Sequence, residues 1–107
     1  KDQIIRGGVN ISPVEVDNVL AAHPDIAEAA AVGVPDPIYG EEVVSFVVCK
    51  AGATPSAESV LAHCAAHLAE FKRPKQVIFR DALPRNARGK LDRNSLADEW
   101  KRQFAAV

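Results

Sequence analysis

Apolar and polar positions divide the chain into short extended runs and amphipathic segments, punctuated by proline and glycine. Gln3-Ile4-Ile5-Arg6 is a short apolar run stopped by Gly7-Gly8, the pattern of a strand entering a turn, and Val9-Asn10-Ile11 follows it. Ser12-Pro13-Val14-Glu15 reads as a helix start, with Ser12 as N-cap, Pro13 as first helical residue and Glu15 as the reciprocal capping-box partner. The spacing predicts a helix over 13–22 with Val16, Val19 and Leu20 facing inward. His23-Pro24 ends it, because a residue before proline avoids helical geometry. His23 reads as a helix-terminal cation or a solvated residue.

Residues 26–34 are small and apolar with weak alternation, as in a strand buried on both faces. Pro35-Asp36-Pro37-Ile38-Tyr39-Gly40 is a turn, and the β-branched run 42–50 is the strongest strand in the chain. The two strands pair most simply as an antiparallel hairpin. Ala51-Gly52-Ala53 connects to a second helix opening at Thr54-Pro55 and running to about Glu70, with Val60, Leu61, Cys64, Ala65 and Leu68 as its stripe. His63 and His67 have the spacing of a helical metal pair, but they fall opposite the stripe and lack the acid of the zincin motif. They read as solvated surface histidines. Pro74 closes the helix, residues 76–80 form a third main strand, and 92–103 a closing helix with Leu96, Trp100 and Phe104 on one side.

The predicted architecture is an α/β (α+β) domain. It has a central sheet of about three strands, a short N-terminal β-ribbon and two to three packed helices. At 107 residues one domain is expected, and 48% hydrophobic with 25% charged residues is ordinary globular composition. A net charge of −1 offers no general attraction to nucleic acid, and no apolar run reaches the roughly 20 residues of a membrane span. Cys49 and Cys64 lack metal or redox spacing and read as two buried free thiols of a cytoplasmic protein. The chain opens on Lys1 without an initiator Met, which reads as a cut through a longer chain.

Candidate chemistry concentrates in Leu83-Pro84-Arg85-Asn86-Ala87-Arg88-Gly89-Lys90-Leu91-Asp92-Arg93. Pro84 bars a central strand, Gly89 frees the backbone beside Lys90, and four cations fall within nine residues. A long cationic side chain on a loop can carry charge to an anion, and a solvated basic loop is the plainer reading. Phe71-Lys72-Arg73-Pro74-Lys75 sets an aromatic among three cations. That pattern suits stacking with phosphate contact, or a helix C-terminus carrying the cations its dipole favours. Tyr39 at the turn tip is the only tyrosine. No Ser-His-Asp set, metal cage or carboxylate pair is legible.

Three stretches together resemble the C-terminal domain of the adenylate-forming superfamily, the acyl- and aryl-CoA synthetases in particular. Residues 1–17 look like the family's hinge and glycine loop, Phe71 to Lys75 like its next signature, and Leu83 to Arg93 like its catalytic-lysine motif. The hinge position, often Asp in the family, would be Lys1. Arg88 stands where Ser or Thr is commoner, which weakens the carry-over of any hydroxyl role there and leaves Lys90 intact.

The resemblance implies the lid of an ATP-dependent carboxylate–CoA ligase, inactive alone, whose large N-terminal domain holds most of the nucleotide and the acid. Lys90 would serve adenylate formation, supported by Gly89 and Arg85. After rotation about Lys1, Gly7 and Gly8 would admit the pantetheine arm. Tyr39 and Phe71 would lie against the CoA adenine, and Arg73 and Lys75 would meet its phosphates unless they are solvated. The implied partners are ATP, CoA, a carboxylic acid and the chain's own N-terminal domain, with Mg²⁺ held mainly by that domain. A lysine acetyltransferase and deacetylase acting at Lys90 are implied as well. A carrier-protein thiol, a luciferase-like reaction and a non-catalytic nucleotide- or protein-binding module stand as alternatives.

Overall fold

The computed structural model describes residues 3–104. In chain order the elements are β1 (Ile4–Arg6), β2 (Val9–Ile11), α1 (Pro13–Ala21), β3 (Ile26–Asp36), β4 (Gly40–Cys49), α2 (Ala57–His67), β5 (Gln76–Phe79) and α3 (Arg93–Phe104). A single 3₁₀ turn, Glu70–Lys72, lies between α2 and β5. The described residues thus form the expected three main strands, the ribbon β1–β2 and three helices.

The sheet is mixed. β3 and β4 pair antiparallel along their length, from Ile26 opposite Cys49 to Asp36 opposite Gly40. On the other side of β4, β1 joins antiparallel through Arg6 opposite Gly40, and β5 joins parallel through Val44–Val47. A parallel neighbour requires a crossover, and α2 with the 3₁₀ turn supplies it. This leaves β3 as an edge strand. Pro35 lies within it opposite Glu41, where a residue without an N–H is tolerated. At the turn, β3 and β4 extend past the predicted boundaries, and only Pro37, Ile38 and Tyr39 remain between them, while β4 and β5 each end one residue earlier than predicted.

Alternation along β4 builds two cores. Val43 and Val47 face α1 and α2 with Val16, Leu20, Val60 and Cys64, while Val44 and Phe46 face α3 with Leu96 and Trp100. β3 is likewise buried on both faces, Ala29 and Ala31 to one side and Ala30, Val32 and Val34 to the other. Helices on both faces explain why these strands read as continuous apolar runs.

Local signals were partly overridden. Ser12 Oγ accepts from the Glu15 amide at 3.4 Å, but the Glu15 carboxylate takes the Lys72 ammonium at 2.9 Å, so the reciprocal half of the capping box goes to a tertiary ion pair. α2 begins later than Thr54-Pro55 implies, because Ser56 is the cap and accepts from the Ser59 amide at 3.1 Å. It also ends earlier, at His67, and Ala65 is exposed rather than part of the stripe. His23 and His63 depart from the solvated reading. His23 is buried, its Nδ1 accepting from the Asp25 amide at 3.0 Å with Nε2 3.3 Å from Ser59 Oγ. His63 is half-buried between α1 and α2, Nε2 lying 2.7 Å from the Val19 carbonyl. Cys64 is fully buried and Cys49 only partly so; both are free thiols.

Candidate functional site

The candidate residues fall into two groups, one at each end of the long β3–β4 hairpin. At the turn end, Gly7 and Gly8 take φ of +58° and +84°, the two successive left-handed residues of a tight hairpin turn between β1 and β2. The Gly7 amide donates to the Tyr39 carbonyl at 2.8 Å, which locks this turn to the β3–β4 turn. Asp36 organises the latter by accepting from the amides of Ile38 (3.0 Å) and Tyr39 (2.9 Å). The Tyr39 amide, with the Ile38 amide and the Lys75 ammonium at 3.5 Å, holds this carboxyl below its ordinary range. Arg6 lies over the Tyr39 ring, 3.8 Å from guanidinium carbon to centroid, and its Nε donates to the buried Glu42 at 2.7 Å. That bond raises the Arg6 guanidinium further above its ordinary value. One face of Tyr39 is thus taken by Arg6.

The stretch 71–75 enters β5 at this same end, with the Lys75 amide on the Val43 carbonyl at 2.9 Å. Phe71 is partly exposed on the 3₁₀ turn, and the Lys72 ammonium sits 5.6 Å from its ring. Arg73 behaves differently: Nε donates to the Leu68 carbonyl at 2.9 Å and Nη2 to the Ala65 carbonyl at 3.1 Å. Its guanidinium closes the C-terminal end of α2, the place a helix dipole favours a cation.

The Lys90 loop occupies the other end. Arg85 bridges Leu91, and the Asn86 amide donates to the Lys90 carbonyl at 2.8 Å, forming a miniature hairpin. Asn86 Oδ1 accepts from the amides of Arg88 (2.8 Å) and Lys90 (3.1 Å), and Gly89 takes φ +82°. Arg85 grips the loop from outside, one nitrogen donating to the Gly89 carbonyl at 3.1 Å and another to Glu28 at 2.8 Å. Leu83 is buried and Leu91 partly buried in the α3-side core, so the loop is rooted at both ends. No acidic group among the described residues pairs with Lys90, which stands exposed. Glu28, near the start of β3, and Asp36, at its end, lie roughly 27 Å apart at the rise of an antiparallel strand. Lys90 and the Gly7–Tyr39 cluster are therefore not one site.

Lys1 lies outside the described residues. Among those described, no three metal-ligating side chains come together. Sequence reasoning missed Arg6, Asp17, Glu28, Asp36, Asn86 and Arg93 as supports of these loops. Asn86 had a readable signal, since an Asn three residues before Gly marks a side-chain-capped turn.

Residues 15–90 match the model of the AMP-binding enzyme C-terminal domain. The chain belongs to this family. It is 46% identical over 107 residues to a probable CoA ligase, CCL9, of Humulus lupulus, covering 100% of this chain and 20% of that protein. It is 46% identical over 100 residues to an oxalate–CoA ligase of Arabidopsis thaliana, covering 94% and 20%. Among solved structures, apo MatB of Rhodopseudomonas palustris superposes with a TM-score of 0.93 at 42% identity, over 99% of this chain and 21% of MatB. This AMP-binding C-terminal domain thus spans about a fifth of the length of the curated relatives it matches. No helix among the described residues is long and apolar enough to cross a membrane.

Proposed function

We propose that this domain is the mobile C-terminal lid of an ATP-dependent, AMP-forming carboxylate–CoA ligase, rotating about Lys1 between two half-reactions. The observation that carries the reading is the separation of Lys90 from the Gly7–Tyr39 cluster by the length of the sheet, in a family whose named relatives include CoA ligases. A rigid body with functional loops at opposite ends can bring only one to a shared active site at a time.

In adenylate formation a carboxylate oxygen attacks the α-phosphorus of ATP and pyrophosphate leaves. Negative charges must be held together at bond-forming distance, and the Lys90 ammonium supplies charge and orientation there. Asn86, Gly89 and Arg85 hold the loop so that Lys90 need not be ordered at the moment of reaction. Mg²⁺, expected with ATP in this family, would neutralise the phosphates and be held mainly by the large N-terminal domain. In thioester formation the CoA sulfur attacks the acyl carbon and AMP leaves. The Gly7-Gly8 backbone, lacking Cβ atoms, lets the pantetheine arm approach. The exposed part of Tyr39, with Phe71, borders the adenine, and Lys75 meets a phosphate. Arg73 reaches a phosphate only by releasing the α2 carbonyls, which ranks it below Lys75.

Acetylation of the exposed Lys90 would abolish its charge and switch off the first step, so a lysine acetyltransferase and deacetylase are fitting regulatory partners. Free Cys49 and Cys64 suit a reducing, cytoplasmic setting.

The test uses the complete ligase carrying Lys90→Ala, with adenylate formation assayed apart from thioester formation from preformed acyl-adenylate. Adenylation is expected to fall about 100- to 1,000-fold with the second step retained. Survival of both steps would overturn the reading. A complete enzyme indifferent to CoA but active with a carrier-protein thiol would move the acceptor to that alternative.

A further inference from the structure

A polar clamp on the outer edge of β3 ties α1 to the start of α3 at Ala31. Asp17, on α1, accepts from the Ala31 amide with Oδ1 at 2.6 Å and from Arg93 Nη2 with Oδ2 at 2.8 Å. Arg93 Nη1 donates in turn to the Ala31 carbonyl at 3.0 Å. Both backbone groups that Ala31 turns away from β4 are therefore satisfied by one ion pair. The two side chains are only 13% and 14% exposed, so the pair is largely withdrawn from water. Burial pushes the Asp17 carboxyl up despite Arg93 and the Ala31 amide, so this charge is kept at a cost.

The clamp's position in the chain gives it more than a sealing role. Arg93 is the first residue of α3 and follows Lys90 by three residues. Upstream, the loop is held by Arg85 on Glu28, a pair exposed on both sides that salt and water weaken. The covered Arg93–Asp17 contact is thus the firmer of these two polar anchors of the Lys90 loop. Asp17 sits on the helix that begins directly after β2, whose other end carries the Gly7-Gly8 turn. A planar guanidinium meets a carboxylate and a carbonyl together, which a lysine at this position cannot reproduce.

We propose that Arg93, fixed by Asp17 and the Ala31 carbonyl, is a positioning residue for Lys90 in the adenylate-forming half-reaction. The inference rests on the proposed role of Lys90. Edge protection alone is the competing role of the clamp, and it would affect the domain as a whole.

The complete ligase carrying Arg93→Gln is assayed in both half-reactions beside Lys90→Ala and Arg93→Lys. Adenylate formation in Arg93→Gln is expected to fall about 10- to 100-fold, the scale of a small misplacement of a reacting group. Thioester formation from preformed adenylate stays near wild type in the same preparation, which also shows that the variant is folded. Arg93→Lys recovers part of the loss. If Arg93→Gln does not give folded protein, Asp17→Asn and Arg93→Lys are read by the same two assays. Equal losses in both half-reactions, or unchanged adenylation, would overturn the proposal. Loss of adenylation in Lys90→Ala but not in Arg93→Gln sinks this inference alone. Retention in Lys90→Ala sinks the Lys90 reading and this one with it.

Discussion

The amide of Gly7 donates to the carbonyl of Tyr39 at 2.8 Å, and a Cβ built on Gly7 would come within 3.3 Å of Tyr39 Cδ1. Gly7→Ala therefore combines backbone strain at φ +58° with pressure on the tyrosine ring, whereas Gly8→Ala at φ +84° meets open space. The backbone cost for an L-residue is about 1–2 kcal/mol in either case. In the complete ligase, Gly7→Ala is expected to raise the KM for CoA more than Gly8→Ala, with adenylate formation little changed in both. Steady-state kinetics with varied CoA checks this, and unchanged CoA kinetics in both variants would remove the glycine turn from acyl transfer.

Asn86 supplies one oxygen to two backbone amides, those of Arg88 and Lys90. Its loss exposes those amides to water they already border, so Asn86→Ala should cost under about 1 kcal/mol of stability. The loop loses its internal template, and adenylate formation is expected to fall about tenfold or more through misplacement of Lys90. Asn86→Asp keeps the acceptor and should recover most of the rate. A rate loss matched by an equal loss in thermal stability would point to unfolding instead.

The elements of this fold were legible because periodicity and punctuation agree. The β-branched run of β4 and the proline-glycine break before it leave little else for the chain to do. Signals that depend on distant partners were not legible. Glu15 looks like a local capping residue, yet a lysine 57 positions away takes its carboxylate. His63 looks solvated on a helical wheel, yet α1 covers it and offers the Val19 carbonyl. The Lys90 loop and residues 71–75 stood out by composition and the Gly7-Gly8 turn by family resemblance, but their placement at opposite ends follows from the β3–β4 register and the parallel entry of β5, which no local pattern encodes. Arg73 could be read as a helix-end cation or a phosphate ligand from sequence, and only its two carbonyl contacts separate those roles.

Those contacts make Arg73 and Lys75 distinguishable by experiment. Arg73→Ala removes two hydrogen bonds at the end of α2 and should cost about 1–2 kcal/mol, read as a lower melting temperature of the ligase. Among the described residues the Lys75 ammonium holds only the turn carboxylate Asp36, at 3.5 Å, so Lys75→Ala should leave the melting temperature nearly unchanged. Its expected effect is a higher KM for CoA, largest at low salt because the proposed contact is a charge on a phosphate. A stable Arg73→Ala enzyme with impaired CoA binding would reverse the assignment.

Burial pushes the Cys64 thiol up to about 11, since no charge accompanies it into the core between α2 and the sheet. The thiolate is the reactive form, so Cys64 should resist alkylation at pH 8 while the half-buried Cys49 is modified first. The linkage has a definite sign. As pH rises from the ordinary thiol range towards 11, the unfolded chain loses its Cys64 proton before the folded chain does. Stability contributed by this group is thus complete below that range and declines through it. Replacing Cys64 by Ala should remove this alkaline component, at the cost of the buried volume. Mass-resolved alkylation at pH 8 decides the matter, because labelling of Cys64 as fast as Cys49 in the folded ligase would mean that the α2 side of the core opens readily.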